Sequence, residues 1–513
     1  MKHYITIIET LFLLLPLLLF SHGGFANLSS NTVEGTLDSE QNQCIDYDST
    51  QKLIQIKCNS IHLTDIYNTL DDPTVLRTEK DNGETDAKIW ILSAGIVIDK
   101  DSSLIIDSSD TSWLKITATP TIQLKKSANV TEDTNYSDDT LTVIQNKSTP
   151  NSNNGSNTIK IENGTVTVSK NNGDNPNGIH VHGSLKIDSV KITSWDSEKN
   201  DVIKFDYGKR PGEEHTKSDY DTAEPRAFIR VSKDATGTTD ITNSEIAYLG
   251  YSCSRCAGLS YYGGEGSEIR NSNIHHLLKG FYSKNAAYIT MDNNTFHNNY
   301  LYGIDPHTGS HDFVITNNLV YNNNASGIIC SKHCFNLLIE GNEVYNNSGA
   351  ARGIAFSINT TNSVAKNNYV HDQPRCISFN RESNHNEVYN NTVSNCKIGV
   401  FLSGTGNNSI YDNKITETQS GIVLYNINNN MYDNEISLSK NGIVFEPGKA
   451  SNQSGDVAST TNVISPVEDY QSHLVDLVDS NKIFEVENPY VHKEDKMNNT
   501  SQIDQTNNMT TIT

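Results

Sequence analysis

The chain of 513 residues predicts an all-β fold, a parallel β-helix (solenoid), on three observations. A glycine followed by an apolar residue recurs as Gly258-Leu, Gly280-Phe, Gly303-Ile, Gly327-Ile and Gly353-Ile. The series goes on through Cys376-Ile, with cysteine in the glycine place, to Gly399-Val, Gly421-Ile and Gly442-Ile, at spacings of 21 to 26 residues. An offset series, Asn-x-apolar, keeps the same beat at Asn294, Asn318, Asn342, Asn368, Asn391, Asn413 and Asn434. The rival periods are absent: no leucines stand at fixed places in each repeat, and no 3.6-residue apolar stripe runs through it. Two short strands per repeat cannot bury a core alone, but stacked coils about 4.8 Å apart can. Asparagines at equivalent turns then stack into amide ladders, which gives most of them a structural task.

The elements follow in order. Lys2 and His3 precede the apolar run Leu11–Phe20 and small residues up to Ala26. That is the layout of a secretory signal peptide over 1–26, short and proline-broken for a membrane span. Residues 27–80 alternate apolar and polar residues and are read as a strand-rich N-terminal cap. The catalytic β-helix is expected over 81–448, with clear strands from Lys88-Ile-Trp-Ile-Leu through Ile96-Val-Ile-Asp and Leu104-Ile-Ile-Asp. A Ser/Thr/Asn/Asp-rich surface insertion interrupts it at 126–158, after which strands resume at Ile159-Lys-Ile, Val166-Thr-Val and Leu185-Lys-Ile. Charged sequence from Lys209 to Glu224 reads as a second excursion. Beyond Gly448 the beat is lost, and 449–513 is expected to be a polar, partly disordered tail.

Export agrees with the cysteines. The eight fall in close pairs, Cys44 with Cys58, Cys253 with Cys256, Cys330 with Cys334 and Cys376 with Cys396, which favours disulfides. Zinc ligation by Cys253, Cys256, Cys330, Cys334 and His333 is the rival reading, and an oxidising compartment competes against it. The expectation is therefore no metal and no cofactor. Sequons at Asn129, Asn135 and Asn163 suit a glycosylated surface or secreted protein. A net charge of −22 argues against a nucleic-acid partner.

One coil departs from the rest. Tyr302-Gly-Ile-Asp-Pro-His307 places an acid, a proline and a histidine where other coils carry small, apolar and amide residues. Alignment on the glycines sets Asp305 level with Tyr282 below and Ile329 above, and His307 level with Lys284 and Ser331. Lys332 follows one residue later. Strand alternation turns Ile304 to the core and Asp305 and His307 together toward solvent, with Tyr302 close enough to share that face. Such a set suits proton abstraction alpha to a carboxylate. A lysine stabilises the developing charge, a neutral His or a Tyr takes the proton, and Asp305 orients His307 or tunes its basicity. Taken singly the residues are ordinary: Asp-Pro is a common turn dipeptide, and the chain has 16 histidines. From Cys253 to Phe335 five basic residues (Arg255, Arg270, Lys279, Lys284, Lys332) balance five acids. That stretch is near neutral in an acidic chain, as a groove for a polyanion requires.

The run Tyr302-Gly-Ile-Asp-Pro-His307 resembles the Tyr-Gly-[Ile/Phe]-Asp-Pro-His motif of the mannuronan (alginate) C5-epimerases. Gly327-Ile-Ile-Cys-Ser-Lys332 resembles their Gly-Ile-[Ile/Val]-x-Ser-Arg segment, and Gly280-Phe-Tyr282 their preceding coil. The resemblance covers roughly 245–445. It implies a right-handed parallel β-helix, His307 and Tyr302 as the acid/base pair, Asp305 as an essential carboxylate and Lys332 as the neutraliser of the substrate carboxylate. Lys284, Tyr282, Lys279 and Arg255 are the accompanying candidates for substrate binding. The reaction implied converts mannuronate to guluronate residues within an acidic polysaccharide. Two positions depart from the family: Thr308 stands where an acid usually follows the histidine, and Lys332 replaces arginine, losing bidentate recognition. A polysaccharide lyase shares the proton abstraction and then expels the O4 substituent. A non-catalytic, carbohydrate-binding or adhesive surface β-helix would need none of Tyr302, Asp305 and His307.

Overall fold

The computed structural model describes residues 44–79, 88–117, 178–204, 225–252, 255–348, 352–425, 428–446 and 480–493. It also describes the backbone of the strands Leu141–Val143, Asn157–Glu162 and Thr165–Lys170. The expected signal peptide, the three sequons and Cys253 lie outside the described residues.

Why the chain coils is visible in the register. Ile54 pairs with Ile96, Ile96 with Ile179, Ile179 with Ile229 and Ile229 with Leu259. Further along, Phe281 pairs with Ile304, Ile304 with Ile328, Ile328 with Ile354 and Ile354 with Ile377. Each inward residue thus stacks on an equivalent one, all essentially inaccessible to solvent. Repeating this on three sides of every coil gives three long sheets of 15, 11 and 15 strands around one continuous apolar core. Nearly all pairings within them are parallel; antiparallel pairs cap the start, where Ile45–Asp48 lies on Leu53–Ile56 and Leu76–Glu79 on Ile89–Leu92. The all-β, parallel β-helix class read from the sequence is the fold.

The glycine beat has a steric cause. A Cβ on Gly303 would sit 2.7 Å from the Gly327 carbonyl oxygen and 2.7 Å from Val320 Cγ1. The asparagine beat has an electrostatic one. In the doublets Asn293-Asn294, Asn317-Asn318, Asn367-Asn368 and Asn390-Asn391 the first residue takes the left-handed conformation at φ near 55°, which asparagine tolerates. The second turns inward and is buried. Both the backbone N–H and the side-chain amide of Asn294 donate to Asn318 Oδ1, and Asn318 repeats this to Asn342, Asn342 to Asn368, and onward to Asn434 and Asn481. The second amide hydrogen of each goes back to a carbonyl of the coil below, as from Asn294 to Ile269 and from Asn318 to Met291, so these buried donors are satisfied from both sides.

Three details differ from the sequence reading. Asn157–Glu162 and Thr165–Lys170 are strands, but they pair antiparallel with each other and with Leu141–Val143 rather than joining the stack, which resumes at Gly178. Residues from beyond 448 rejoin it: Lys482–Phe484 and Asn488–His492 add a final strand to two of the sheets. Finally, the glycine alignment slips by one residue at a bulge, so that Lys279, not Gly280, lies level with Gly258.

Disulfides join Cys44 to Cys58, Cys330 to Cys334 and Cys376 to Cys396, and Cys256 is also disulfide-bonded. Cys256, Cys330 and Cys334 of the rival zinc reading are therefore committed to disulfides. No helix among the described residues is long and apolar enough to cross a membrane.

Candidate active site

The departing coil lies in the first long sheet, between the strands Lys279–Lys284 and Ile328–Cys330. Its lower register is as the glycine alignment reads it: Tyr282 faces Asp305 and Lys284 faces His307. Ile304 meets Ile328 above. The structure brings Tyr302, Asp305, His307, Tyr282, Lys279, Lys284 and Lys332 to one outer face. Arg255 lies apart, its guanidinium 5.8 Å from the Tyr262 ring, one coil below Tyr282.

Asp305 does not face solvent. It is fully buried on the outer side of the sheet, its Oδ2 taking a hydrogen bond from Lys279 Nζ at 2.9 Å and its Oδ1 one from Ser331 Oγ at 2.5 Å. Lys279 from the coil below and Ser331 from the coil above close over it. The Lys279 ammonium lies 4.0 Å from the Tyr282 ring centre and 5.4 Å from that of Tyr302, so two aromatic faces and a carboxylate enclose one cation. Lys279 is thereby a partner of Asp305 before any substrate arrives.

Nor does Asp305 hold the histidine by a hydrogen bond. Nδ1 of His307 lies 2.6 Å from Thr308 Oγ1, and the ring packs 5.5 Å from Tyr282. Nε2 has no hydrogen-bond partner among the described residues. Thr308, the departure from the family pattern, thus occupies the orienting place. Asp305 tunes His307 through charge. Burial pushes the imidazole pKa down, Asp305 pushes it up, and Lys279, Lys284 and Lys332 push it down again, with a net fall. The histidine is neutral near pH 7 and able to accept a proton. Tyr302 is half-buried, and burial together with the charge of Asp305 holds its phenol above the usual range, hence protonated. Tyr282 is raised as well, by burial first, then by Tyr262 and Asp305.

Lys284 and Lys332 are exposed and have no ion-pair partner among the described residues. Lys332 sits in the short loop closed by the Cys330–Cys334 disulfide, with Ser331 beside it. That ring holds Ser331, which is bonded to Asp305, next to the exposed Lys332.

Sequence reasoning missed Ser331, whose bond to Asp305 needs the register above. It also missed Arg352 and Arg375, which lie level with each other on the coils beyond. A signal was present: the residue before the glycine reads Lys279, Tyr302, Ser326, Arg352, Arg375 from coil to coil. On the strands from Lys279 to Asn380 in this sheet Asp305 is the only acid. The group of His62, Asp107 and Asp110, close enough to share an ion, lies on the first coils and has no part in the site.

Known proteins resemble the chain in this architecture. Residues 232–417 and 375–456 match the family described as periplasmic copper-binding protein (NosD). Among solved structures, the periplasmic alginate epimerase AlgG aligns with a TM-score of 0.53 at 17% identity, over 86% of this chain and 85% of that one. A double mutant of AlgG aligns at 0.53 and 18%, with the same coverage, 86% and 85%. The A-module of the mannuronan C-5 epimerase AlgE4 of Azotobacter vinelandii gives 0.41 at 14% identity, over 69% and 86%. No curated protein sequence matches. The chain is a parallel β-helix similar in fold to the alginate epimerase AlgG.

Proposed function

We propose that this protein is an extracytoplasmic enzyme that epimerises C5 of uronate residues in an acidic polysaccharide, mannuronate to guluronate. The observation that carries the reading is the buried Lys279–Asp305–Ser331 group beneath a neutral His307, with Lys284 and Lys332 unpaired at its rim. A carboxylate that only stabilised the fold would not need to be ringed by free cations.

In this mechanism Lys332 and Lys284 receive the uronate carboxylate. His307, through Nε2, takes the C5 proton, and the electron pair of the broken C–H bond moves into the carboxylate, which becomes a dianionic enediolate. The lysines stabilise that added charge where it develops. The phenol of Tyr302 gives its proton to the opposite face of C5, the pair returns to carbon, and the configuration is inverted. His307 leaves the cycle protonated and Tyr302 deprotonated; exchange with water restores both. Asp305, bonded by Lys279 and Ser331, keeps the lysine ammonium between the two tyrosine rings and offsets the rim cations at His307. Export is supported by the apolar N-terminal segment, the disulfides and the periplasmic names of AlgG and the NosD family.

The test is product analysis of polymannuronate incubated with the purified protein. The reading expects guluronate residues to accumulate at constant chain length. Unsaturated, shortened chains would replace it with a β-eliminating lyase. An unchanged polymer, with other polyuronates equally untouched, would remove the enzymatic reading.

A further inference from the structure

The catalytic coil accounts for the lower part of this face. Above it, on the strands Arg352–Phe356 and Arg375–Asn380, the outward positions carry a second constellation with no task in the chemistry. Three of its atoms are closed off from solvent and lack any hydrogen-bond partner: Arg352 Nε, Ser378 Oγ and Asn380 Nδ2. Only eight side-chain atoms in the described residues are placed this way, and three of them lie on these two adjacent coils. Native proteins rarely leave buried donors unpaired, so a cluster of them calls for an acceptor from outside. All three can donate, and two can do nothing else.

The charges say the same. Arg352 and Arg375 stand level on neighbouring coils, and neither has a carboxylate partner among the described residues. Burial, then the neighbouring charge of Arg375, holds the Arg352 guanidinium below its usual pKa, and burial does the same to Arg375. Several cations elsewhere on the coils are matched: Arg270 with Glu268 and Asp292, Lys366 with Glu340, Lys191 with Glu245. Arg375 lies 4.0 Å above the Phe401 ring, which fixes the plane of its fork. Both arginines remain part-exposed, while Ser378 and Asn380 are buried further along the second of the two strands.

We propose that Arg352, Arg375, Ser378 and Asn380 form a carboxylate-binding subsite for a uronate further along the polymer than the reacting one. The assignment rests on the polyuronate reading and extends it. Coils rise about 4.8 Å each, a step comparable to one linked sugar, so a chain lying along the face presents successive carboxylates to successive coils. Arg352 is near enough to act on Tyr302, which makes the subsite continuous with the reacting centre. The enzyme would then prefer oligomers long enough to span from Lys332 to Arg375.

The test is equilibrium binding of the full chain to oligomannuronates of rising length and to carboxyl-reduced counterparts, for wild type, Arg375→Gln and Arg375→Lys. Wild type should gain affinity in a step once the oligomer reaches Arg375, and the reduced oligomers should show no step. Arg375→Gln should lose that step, binding long oligomers about tenfold or more weakly, as removal of a charge-assisted contact predicts. Arg375→Lys should recover part of it. Should Arg375→Gln melt far below wild type, Arg352→Gln reads the same step. Equal length dependence in wild type and both variants would overturn the subsite. Wild type that exchanges C5 hydrogen with an Arg375-independent step would overturn the subsite alone. Wild type with an Arg375-dependent step and no exchange would leave the subsite standing and remove the epimerase. Absence of any binding by wild type would overturn both.

Discussion

The outer face that carries Tyr302, Asp305 and His307 differs from the other two faces of the same coils. There, several outward charges are neutralised in place: Arg270 with Glu268 and Asp292, Lys366 with Glu340, His371 with Glu343. Outward rings stack on one another, His297 on Tyr321, Tyr321 on Tyr345 and Tyr345 on His371, at centroid distances of 4.9 to 5.1 Å. On the site face Lys284, Lys332, Arg352 and Arg375 have no carboxylate partners among the described residues, and the one acid is buried. All three sides are stacks of parallel strands, so the distinction is made by which residues they turn outward, together with the bulge at Lys279. Self-matched columns hold the coils together; on the proposed reading the unmatched columns take the anionic substrate.

That contrast can be broken from either side. The largest effect should follow His307→Ala: turnover on polymannuronate is expected to fall by about 10²–10⁴, the range for losing a general base, while thermal melting stays close to wild type. Asp305→Asn should damage both properties. It leaves Lys279 without its counter-charge, and breaking such a buried pair costs about 3–5 kcal/mol, read as a lower denaturant midpoint. On the structural side, Asn342→Ala removes one rung of the amide ladder. It orphans the Asn318 donors, so stability should fall by roughly 1–3 kcal/mol while activity per folded molecule is kept.

Acid should act on the structural face before it reaches the carboxylates. Burial and neighbouring histidines push His276 and His297 down to about 4, from an ordinary value of 6.5. A base depressed by folding favours the native state above its unfolded pKa. That contribution is therefore whole above pH 6.5 and lost as pH falls toward 4. Glu245, held at about 2 mainly by His275 and then Lys191, adds stability above its ordinary 4.5 that is lost only between 4.5 and 2. Melting against pH should show the first loss in the 6.5–4 window, and replacing His297 with Phe should flatten it. The smallest effect should come from Cys334→Ser. Opening the loop around Ser331 and Lys332 should raise KM more than it lowers the melting temperature.

How far this was legible in the sequence follows the same division. The ladder residues repeat, so Asn294 to Asn434 and Gly258 to Gly442 declared the coils and set Tyr282 level with Asp305 and Lys284 level with His307. What repeats cannot announce is the exception. The bulge at Lys279 shifts one strand by a single residue, and Asp305, which simple alternation turns to solvent, is buried against Lys279 and Ser331. Ser331 became visible only once its hydroxyl was set beside that carboxylate. Arg352 and Arg375 were within reach, since they share the place before the glycine with Lys279 and Tyr302, but the apolar residue after the glycine drew the eye instead. The rejoining of Lys482–Phe484 and Asn488–His492 needed contacts across a long intervening stretch without the repeat.

The most direct test of the central claim is hydrogen exchange at C5. Polymannuronate would be incubated in heavy water with wild type, His307→Ala and Asn342→Ala, and deuterium at C5 followed by proton NMR. The account predicts C5 deuterium accompanied by guluronate signals for wild type and Asn342→Ala, and neither for His307→Ala. Equal deuterium incorporation by wild type and His307→Ala would contradict it.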